Sequence, residues 1–242
     1  MRITDNLFML SGAAYGLVGN VYAVRSQEKI ILIDTGEDEA ALSTIKETLV
    51  RYKLGQFPIT HVLLTHMHAD HAGNAWYFKE HGAAVVISSV DATGLETGGL
   101  RVNDPGGSSF QTVTADVRLQ DDEEIRVNGV KFTAYYMPGH TNGSVFYAFE
   151  LDGMSMIATG DTLLPVPGDF DRGFEAGLGW TGSYEFDPEK YLKTLERALA
   201  FKADVLLPGH GIPVMKNGTE AFRNGFFKAR EALIHLLPKR HS

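Results

Sequence analysis

The sequence contains no cysteine. A disulfide, a zinc site built on thiolates and a cysteine nucleophile are therefore excluded. Basic residues are the minority among the charged ones, with 22 Lys and Arg against 30 Asp and Glu, and the formal net charge is −8 at pH 7. Because phosphate binding needs a basic surface, we expect no nucleic-acid partner.

Long apolar runs are also missing, since none approaches the roughly 18 residues that a membrane helix needs. The opening segment MRITDNLFMLSG lacks the charged, apolar and small-residue regions of a signal peptide. We therefore expect a soluble cytoplasmic protein without membrane association. Hydrophobic residues make up 44% of the 242-residue chain, enough for a sizeable core. With no linker, charge run or internal repeat, we expect a single domain over residues 1–242.

Strand and helix patterns alternate along the chain. Short Val- and Ile-rich runs predict strands within residues 1–34, 59–64, 85–87, 117–136, 145–150, 155–159 and 205–207. Apolar residues at helical spacing predict helices over residues 38–54, 72–81, 187–201 and 219–237. The glycine-rich segments 91–114 and 163–184 have no clear period, so we expect long loops, which often act as lids or binding loops. The alternation predicts mixed sheets covered by helices.

The segment THMHADH at residues 65–71 concentrates side chains that bind metals: His66, His68, Asp70 and His71. His66 and His68 are two positions apart, so in an extended segment they point the same way. If the chain then turns into a helix, Asp70 and His71 point at a second position nearby. Six positions cannot enclose an ion, so other parts of the chain must supply further ligands.

Three more candidates each follow an apolar strand and a glycine. They are His140 in YYMPGHTNGS, Asp161 in MIATGDT and His210 in VLLPGHG. Glycine lets the backbone approach closely at a strand end, where functional groups are often placed. With the four side chains of THMHADH they supply enough ligands for two ions and one bridging carboxylate. The remaining histidines are not assigned to the site: His61, His81, His235 and His241.

The ordered set THMHADH, PGHTNGS, TGDT and PGHG, with LIDTG upstream, resembles the metallo-β-lactamase-fold hydrolases, in the branch that contains glyoxalase II and the lactonases. The resemblance implies an α/β fold of the αββα sandwich type. In that fold two mixed β-sheets pack face to face and the helices lie on the outside. Acyl-homoserine lactonases carry a tyrosine shortly after the bridging aspartate, where this chain has Thr162, Leu163 and Leu164, and this difference weakens a lactonase assignment. The alternative is that Tyr15 or Tyr184 supplies the phenol.

The same resemblance assigns a role to each candidate. The implied ligands are His66, His68 and His140 for metal 1, Asp70, His71 and His210 for metal 2, and Asp161 as the bridge between the two ions. Asp34, in LIDTG, is implied to support the ligand loops, and the alternative is a simple turn residue before Gly36. The donor types favour two divalent ions per chain, with zinc as the first choice and iron or manganese left open.

The implied chemistry is hydrolysis of an ester, lactone or thioester. We hypothesise that a metal-bridging hydroxide attacks the carbonyl and that Asp70 is catalytic, orienting the nucleophile and passing on its proton. Promiscuous lactonase, esterase or β-lactamase activity fits the same chemistry. The alternative is a mononuclear iron dioxygenase of the persulfide dioxygenase type on the same fold. The presence of Asp70, His71 and His210 together favours two metals and hydrolysis.

The expected partner is a small-molecule substrate, while its identity and a homodimer are left open. Aromatic side chains of the 163–184 segment are expected to form an apolar wall for it: Phe170, Phe174, Trp180 and Tyr184. The alternative is that these rings only anchor the segment on the core. Arg101 and Arg172 are weighed as contacts for a substrate carboxylate, but ordinary solvated charges are the favoured interpretation.

Overall fold

The computed structural model describes residues 1–12, 19–103, 110–167, 174–177 and 183–236, with only the backbone at 165–167 and 174–177. The elements of the first half are β1 (Leu7–Ser11), β2 (Val21–Ser26), β3 (Lys29–Ile33), α1 (Glu39–Arg51), β4 (Ile59–Leu63), α2 (Ala69–Ala72), α3 (Ala75–Glu80), β5 (Ala84–Ser88), α4 (Ala92–Thr97) and β6 (Val117–Leu119). Those of the second half are β7 (Glu123–Val127), β8 (Val130–Tyr136), β9 (Val145–Leu151), β10 (Met154–Gly160), β11 (Leu164–Pro167), β12 (Phe174–Gly177), α5 (Pro188–Ala198), β13 (Val205–Pro208) and α6 (Gly218–Leu233). Short 3-10 helices at Gly99–Val102 and Ile234–Leu236 follow α4 and α6.

The strands form two mixed sheets and a small ribbon. The first sheet has the order β1-β2-β3-β4-β5-β6. Its first three strands are antiparallel, and β3 to β6 run parallel. The second sheet has the order β13-β10-β9-β8-β7, antiparallel except for the parallel pair β10 and β13. The ribbon is the antiparallel pair β11 and β12.

A core of apolar side chains joins the two sheets. Ile31, Leu63 and Val86 of the first sheet belong to the same buried cluster as Phe132 and Tyr147 of the second. Because successive side chains of a strand point to opposite faces, each sheet turns a second apolar face outwards, and that face needs its own cover.

Helices provide that cover on both sides. On the first sheet, Leu42 and Ile45 of α1 and Leu95 of α4 share a buried cluster with strand residues. On the second sheet, Tyr191 of α5 and Phe222 of α6 do the same. The layers are therefore helix, sheet, sheet, helix, and the predicted αββα sandwich is confirmed.

The helix starts follow from ordinary capping chemistry. The side chain of Asp38 accepts a hydrogen bond from Ala41 N at 2.9 Å and caps α1. Asp187 accepts from the backbone N–H groups of Glu189 and Lys190, and Pro188 occupies the first turn of α5. The start of α5 agrees with the helix predicted from residue 187, and β7 and β8 are joined at Asn128-Gly129, a residue pair that favours tight hairpin turns.

The predicted helix over residues 72–81 is divided in two. The structure has a single turn at α2, a break at Gly73 and Asn74, and then α3. At the break the chain packs against the segment that follows β3: Asn74 N donates to Gly36 O at 3.2 Å, and a Cβ at position 73 would overlap the carbonyl oxygen of Glu37. Periodicity alone does not reveal such a contact.

The prediction of two long loops was wrong in part. Segment 91–114 contains α4 and a 3-10 helix, and the buried side chains of Ala92, Leu95 and Val102 anchor it on the first sheet. Segment 163–184 contains the β11–β12 ribbon. In both segments glycines interrupt the apolar spacing, so elements of four to six residues leave no readable period.

The topology brings several strand ends to one edge of the sandwich. β3 and β4 are parallel, and β10 and β13 are parallel, so within each pair the carboxyl ends meet. β8 also runs in the direction of β10, since both are antiparallel to β9. The residues that follow these strands therefore lie at the same edge of their sheet.

Among the described residues, no helix has both the length and the apolar character needed to cross a membrane.

Candidate metal centre

All seven predicted ligands lie at this edge, in α2 or within about five residues of the end of a strand. Their ligand atoms form two groups, and within each group the atoms lie within 4.8 Å of one another. The first cluster is His66, His68 and His140, and the second cluster is Asp70, His71, Asp161 and His210.

The first cluster is a buried group of three imidazoles. His68 Nδ1 lies 2.9 Å from His140 Nε2, and the rings of His66 and His68 are 4.7 Å apart. Burial, reinforced by the neighbouring imidazoles, lowers the pKa of His66 and His68 well below the usual value. Both rings are therefore neutral at pH 7, which is the form of imidazole that binds a metal ion.

The hydrogen bonds of Thr65 fix which nitrogen of His66 is available. The Thr65 hydroxyl donates its single proton to Asp34 Oδ2 at 2.8 Å. Its oxygen, 3.0 Å from His66 Nδ1, can then only accept, so Nδ1 carries the proton. The lone pair is left on His66 Nε2, which is buried without a hydrogen-bond partner among the described residues. A buried lone pair of this kind fits a metal ion.

The second cluster combines two carboxylates with two imidazoles. His210 Nε2 lies 3.0 Å from Asp70 Oδ2 and 3.2 Å from Asp161 Oδ2. His71 Nε2 lies 3.4 Å from Asp70 Oδ2 and 3.3 Å from Asp161 Oδ1. The four ligand atoms therefore face a common point.

Charge attraction outweighs burial within the second cluster. Burial opposes every charged form, yet the imidazoles hold the pKa of Asp70 and Asp161 well below the usual value. In return, the two carboxylates raise the pKa of His71 well above its usual value and that of His210 to about 9. A divalent cation among the same atoms would replace the two imidazole protons, because ligand nitrogens must be deprotonated. Imidazole and carboxylate donors suit zinc, iron or manganese, so the two clusters suggest a dinuclear metal site.

This charge pattern predicts different pH dependences for the two clusters. His210, with a pKa of about 9, carries a proton at pH 7 that an incoming ion must displace. We expect the second cluster to lose affinity as the pH falls, by up to about tenfold per pH unit for each displaced proton. The first cluster, in which His66 and His68 are already neutral, should change far less above pH 6. Calorimetric Zn²⁺ titrations between pH 6 and 8 measure the affinity of each cluster. If both affinities change equally with pH, this prediction is contradicted.

Asp161 lies between the two clusters. Its Oδ2 is 3.2 Å from His210 Nε2 of the second cluster and 3.7 Å from His140 Nε2 of the first. It is buried at the end of β10, next to Gly209 of the strand end beside it. One carboxylate in contact with both clusters has the geometry that a bridging ligand needs.

Asp34 contacts the loop that carries the first ligands. Its Oδ1 accepts from Thr65 N at 2.8 Å, and its Oδ2 accepts from the Thr65 hydroxyl and from His71 Nδ1 at 2.9 Å. With Nδ1 donating, His71 presents Nε2 to the second cluster. Asp34 thereby sets the orientation of His71 directly and the tautomer of His66 through Thr65.

An Asp34→Asn variant tests this arrangement. The amide keeps one oxygen for Thr65 N but places an NH₂ group where His71 and the Thr65 hydroxyl need an acceptor. We expect the affinity of the second cluster for Zn²⁺ to fall by roughly 10- to 100-fold. Competition titration with a chelator measures the change. Asp152→Asn, a surface carboxylate bonded to Thr4 and Asn6, is the matched control. Equal affinities in the two variants would contradict the role of Asp34.

The predicted substrate wall falls largely outside the described residues. Phe170 and Trp180 lie outside them, and the side chain of Phe174 in β12 does as well. Tyr184 is described, and with 67% of its surface exposed it is not an anchor on the core. It follows Ser183, whose hydroxyl donates to the carbonyl oxygen of His140 at 2.8 Å. Tyr184 is therefore adjacent to a residue that contacts the His140 loop, and its side chain is open to solvent.

An ion pair that the sequence did not reveal joins the two segments flanking the site. Arg101 Nε donates to Glu185 Oε1 at 2.6 Å, so Arg101 is not the solvated charge that was expected. Glu185 Oε2 accepts from the backbone and the side chain of Asn142, two residues after His140. Nothing in the spacing of these residues signals their contact. Thr65, by contrast, adjoins His66 in the motif itself.

Comparisons with known proteins agree with this geometry. A model of the metallo-beta-lactamase superfamily matches residues 14–210. Hydroxyacylglutathione hydrolase of Pseudomonas savastanoi pv. phaseolicola is 27% identical over 173 residues, which cover 71% of this chain and 52% of that protein. Acyl-coenzyme A thioesterase MBLAC2 of Bos taurus is 24% identical over 234 residues, covering 85% of this chain and 78% of that protein.

Solved structures agree on the fold. BJP-1, a subclass B3 metallo-beta-lactamase of Bradyrhizobium japonicum, superimposes with a TM-score of 0.74 at 21% identity, covering 98% of this chain and 92% of that one. The chain matches only 44% to 65% of the length of four curated relatives, so it spans about half of such proteins. Since the family model covers well over half of the chain and the αββα sandwich is shared, this chain belongs to the metallo-β-lactamase superfamily.

Proposed function

We propose that this protein is a dinuclear metal-dependent hydrolase that cleaves a thioester, ester or lactone. The observation that carries the proposal is the position of Asp161, whose Oδ2 faces His140 of the first cluster and His210 of the second. The proposed ligands are His66, His68 and His140 for metal 1, Asp70, His71 and His210 for metal 2, and Asp161 between them. Zinc is the proposed metal.

Two bound divalent ions would polarise the substrate carbonyl and lower the pKa of a water molecule enough to supply a nucleophile at neutral pH. The protein's own part is to hold the donors in place. Asp34 fixes the tautomers of His66 and His71, and the buried first cluster keeps its nitrogens away from bulk water. The chain therefore contributes preorganised ligands rather than a side-chain nucleophile.

Asp70 is the proposed proton carrier. Its carboxyl group is the most accessible of the second cluster, with 27% of the side-chain surface exposed, against 6% for Asp161. Its Oδ2 lies 3.0 Å from His210 Nε2. One carboxylate oxygen therefore contacts the second cluster while part of the side chain remains exposed to solvent. In that place Asp70 can orient a nucleophile, accept its proton and pass it to the leaving group.

A thioester is the favoured substrate class. Two relatives have names that specify thioester hydrolysis: acyl-coenzyme A thioesterase MBLAC2 and thioesterase pkgB of Emericella nidulans. A lactone is less favoured, because Thr162 has no phenol and its buried hydroxyl turns towards the carbonyl of Met137, 3.4 Å away. The complete second cluster does not favour the mononuclear iron dioxygenase. We also propose a single domain over residues 1–242 and a cytoplasmic location.

A substrate panel tests this proposal. The metal-replete protein is assayed with acyl-coenzyme A and acyl-glutathione thioesters, aryl esters, acyl-homoserine lactones, β-lactams and phosphodiesters. We expect the highest kcat/KM for a thioester, with weaker ester hydrolysis. Hydrolysis of only β-lactams or phosphodiesters would overturn the substrate class, and no hydrolysis of any of them with two metals bound would overturn the activity.

A further inference from the structure

Asp91 is a buried carboxylate that neither the sequence motifs nor the proposed chemistry uses. It follows β5 in the segment SSVDA, and none of its surface is exposed. Burial raises the pKa of this carboxyl to about 7. An acidic side chain removed from water costs free energy unless it makes hydrogen bonds, so its partners are informative.

The partners of Asp91 belong to the two loops that form the first cluster. Its Oδ2 accepts from Met67 N at 3.1 Å, and Met67 lies between His66 and His68. The same oxygen accepts from the hydroxyl of Thr141 at 2.8 Å, and Thr141 directly follows His140. One oxygen atom therefore connects two loops that are more than 70 residues apart in the chain.

The surroundings of Asp91 are fitted to its carboxyl group. A Cβ at Gly143 would overlap Asp91 Oδ1, so the loop approaches the carboxylate more closely than any side chain permits. Ser88 Oγ accepts from Asp91 N at 3.1 Å, and Ser144 Oγ lies 2.7 Å from the Thr141 hydroxyl. The first bond fixes the backbone at Asp91, and the second orients the Thr141 hydroxyl that donates to Asp91 Oδ2. Asp91 Oδ1 is buried with no hydrogen-bond partner among the described residues, so Oδ2 alone makes the contacts of this carboxylate.

Asp34 cannot replace this contact. Its hydrogen bonds go to Thr65 and His71, which both belong to the THMHADH segment. Among the described contacts, Asp34 bonds to no residue of the loop that carries His140. The separation between His68 Nδ1 and His140 Nε2, 2.9 Å, depends on the relative position of both loops. Asp91 is bonded to each of these loops beside the ligand.

We propose that Asp91 is a positioning residue for the first metal, setting the distance between the His66–His68 loop and His140 through its Oδ2. This inference rests on the proposed metal centre. Both hydrogen bonds end on one oxygen of Asp91. We therefore expect the hydrogen bonds, and not the negative charge, to set the position of the two loops. An asparagine oxygen can accept both bonds, whereas alanine can accept neither.

The experiment isolates the first cluster with His210→Ala, which removes a ligand of the second. In this background, Co²⁺ binding is titrated by its visible absorption for the chain with Asp91, Asp91→Ala, Asp91→Asn and Thr141→Val. We expect Asp91→Ala to weaken Co²⁺ binding by roughly 10- to 100-fold, Thr141→Val by about tenfold, and Asp91→Asn by less than about threefold. Thr141→Val, which keeps the side-chain shape, provides the test if Asp91→Ala does not fold.

The matched control is Asp116→Ala in the same background. Asp116 Oδ2 also accepts a backbone N–H, from Val85 at 2.8 Å, but at the opposite end of β5. Its loss should lower the melting temperature of the metal-free protein without weakening Co²⁺ binding. Equal Co²⁺ affinities in the Ala, Val and control variants would overturn the role of Asp91, and so would an Asn variant as weak as Ala. No Co²⁺ binding with Asp91 intact would instead overturn the metal centre itself, and this inference with it.

Discussion

Replacing Asp161 with asparagine is expected to lower kcat/KM roughly a thousandfold, about 4 kcal/mol of transition-state stabilisation. The carboxylate contacts both clusters, through His140 on one side and His71 and His210 on the other. Asparagine keeps the shape but removes one negative charge and one acceptor oxygen. Its NH₂ group would face imidazole nitrogens where a ligand oxygen is needed. Both ions should therefore bind more weakly.

Thioester hydrolysis and metal content of the purified variant are the two measurements. Asp204→Asn is the matched control, because Asp204 is also a carboxylate next to β10, at its other end, bonded to Ser155 at 2.8 Å. The control should keep wild-type turnover and metal content. An Asp161→Asn protein that retains two metals and more than a tenth of wild-type activity would contradict a bridging role.

Gly209→Ala is expected to cost about a hundredfold in kcat/KM although it adds a single methyl group. A Cβ at position 209 would overlap Asp161 Oδ1 and lie 2.8 Å from His71 Cε1 and 2.9 Å from the carbonyl carbon of Gly160. The Asp161 carboxylate can give way only by leaving the contacts that place it between the clusters. A shift of about 1 Å in a reacting group is enough for a loss of this size.

Gly55→Ala provides the control for the glycine variant. A Cβ at position 55 meets only Val50 Cγ2 at 3.7 Å, an ordinary contact. This variant should match the wild type in activity and metal content. For Gly209→Ala we expect a folded protein, judged by circular dichroism, with lower affinity for metal. Wild-type activity in Gly209→Ala would show that the tight packing behind Asp161 does not position it.

The sequence predicted the parts of the centre that lie in local motifs. THMHADH supplies four candidate ligands in six positions, and His140, Asp161 and His210 each follow a strand and a glycine. The αββα layers were also predictable, through the resemblance to the family. The strand ends then had to meet at one edge, because parallel strands release their next residues on the same side.

The supporting contacts were not predictable, for a physical reason. Asp91 acts through bonds to Met67 and Thr141, and Arg101 pairs with Glu185 across 84 positions. Such contacts depend on how loops pack in three dimensions, and a single sequence carries no signal of that packing. The same limit explains the missed elements α4 and β11–β12, whose short lengths leave no complete hydrophobic period.

The most direct test of the central claim is a metal titration of the metal-free protein followed by thioester hydrolysis. Zn²⁺ is added in steps, and bound metal and initial rate are measured at each step. A dinuclear hydrolase predicts little activity at one equivalent and a plateau at two equivalents per chain. Full activity at one equivalent, or oxygen consumption with one iron per chain, would contradict the two-metal account.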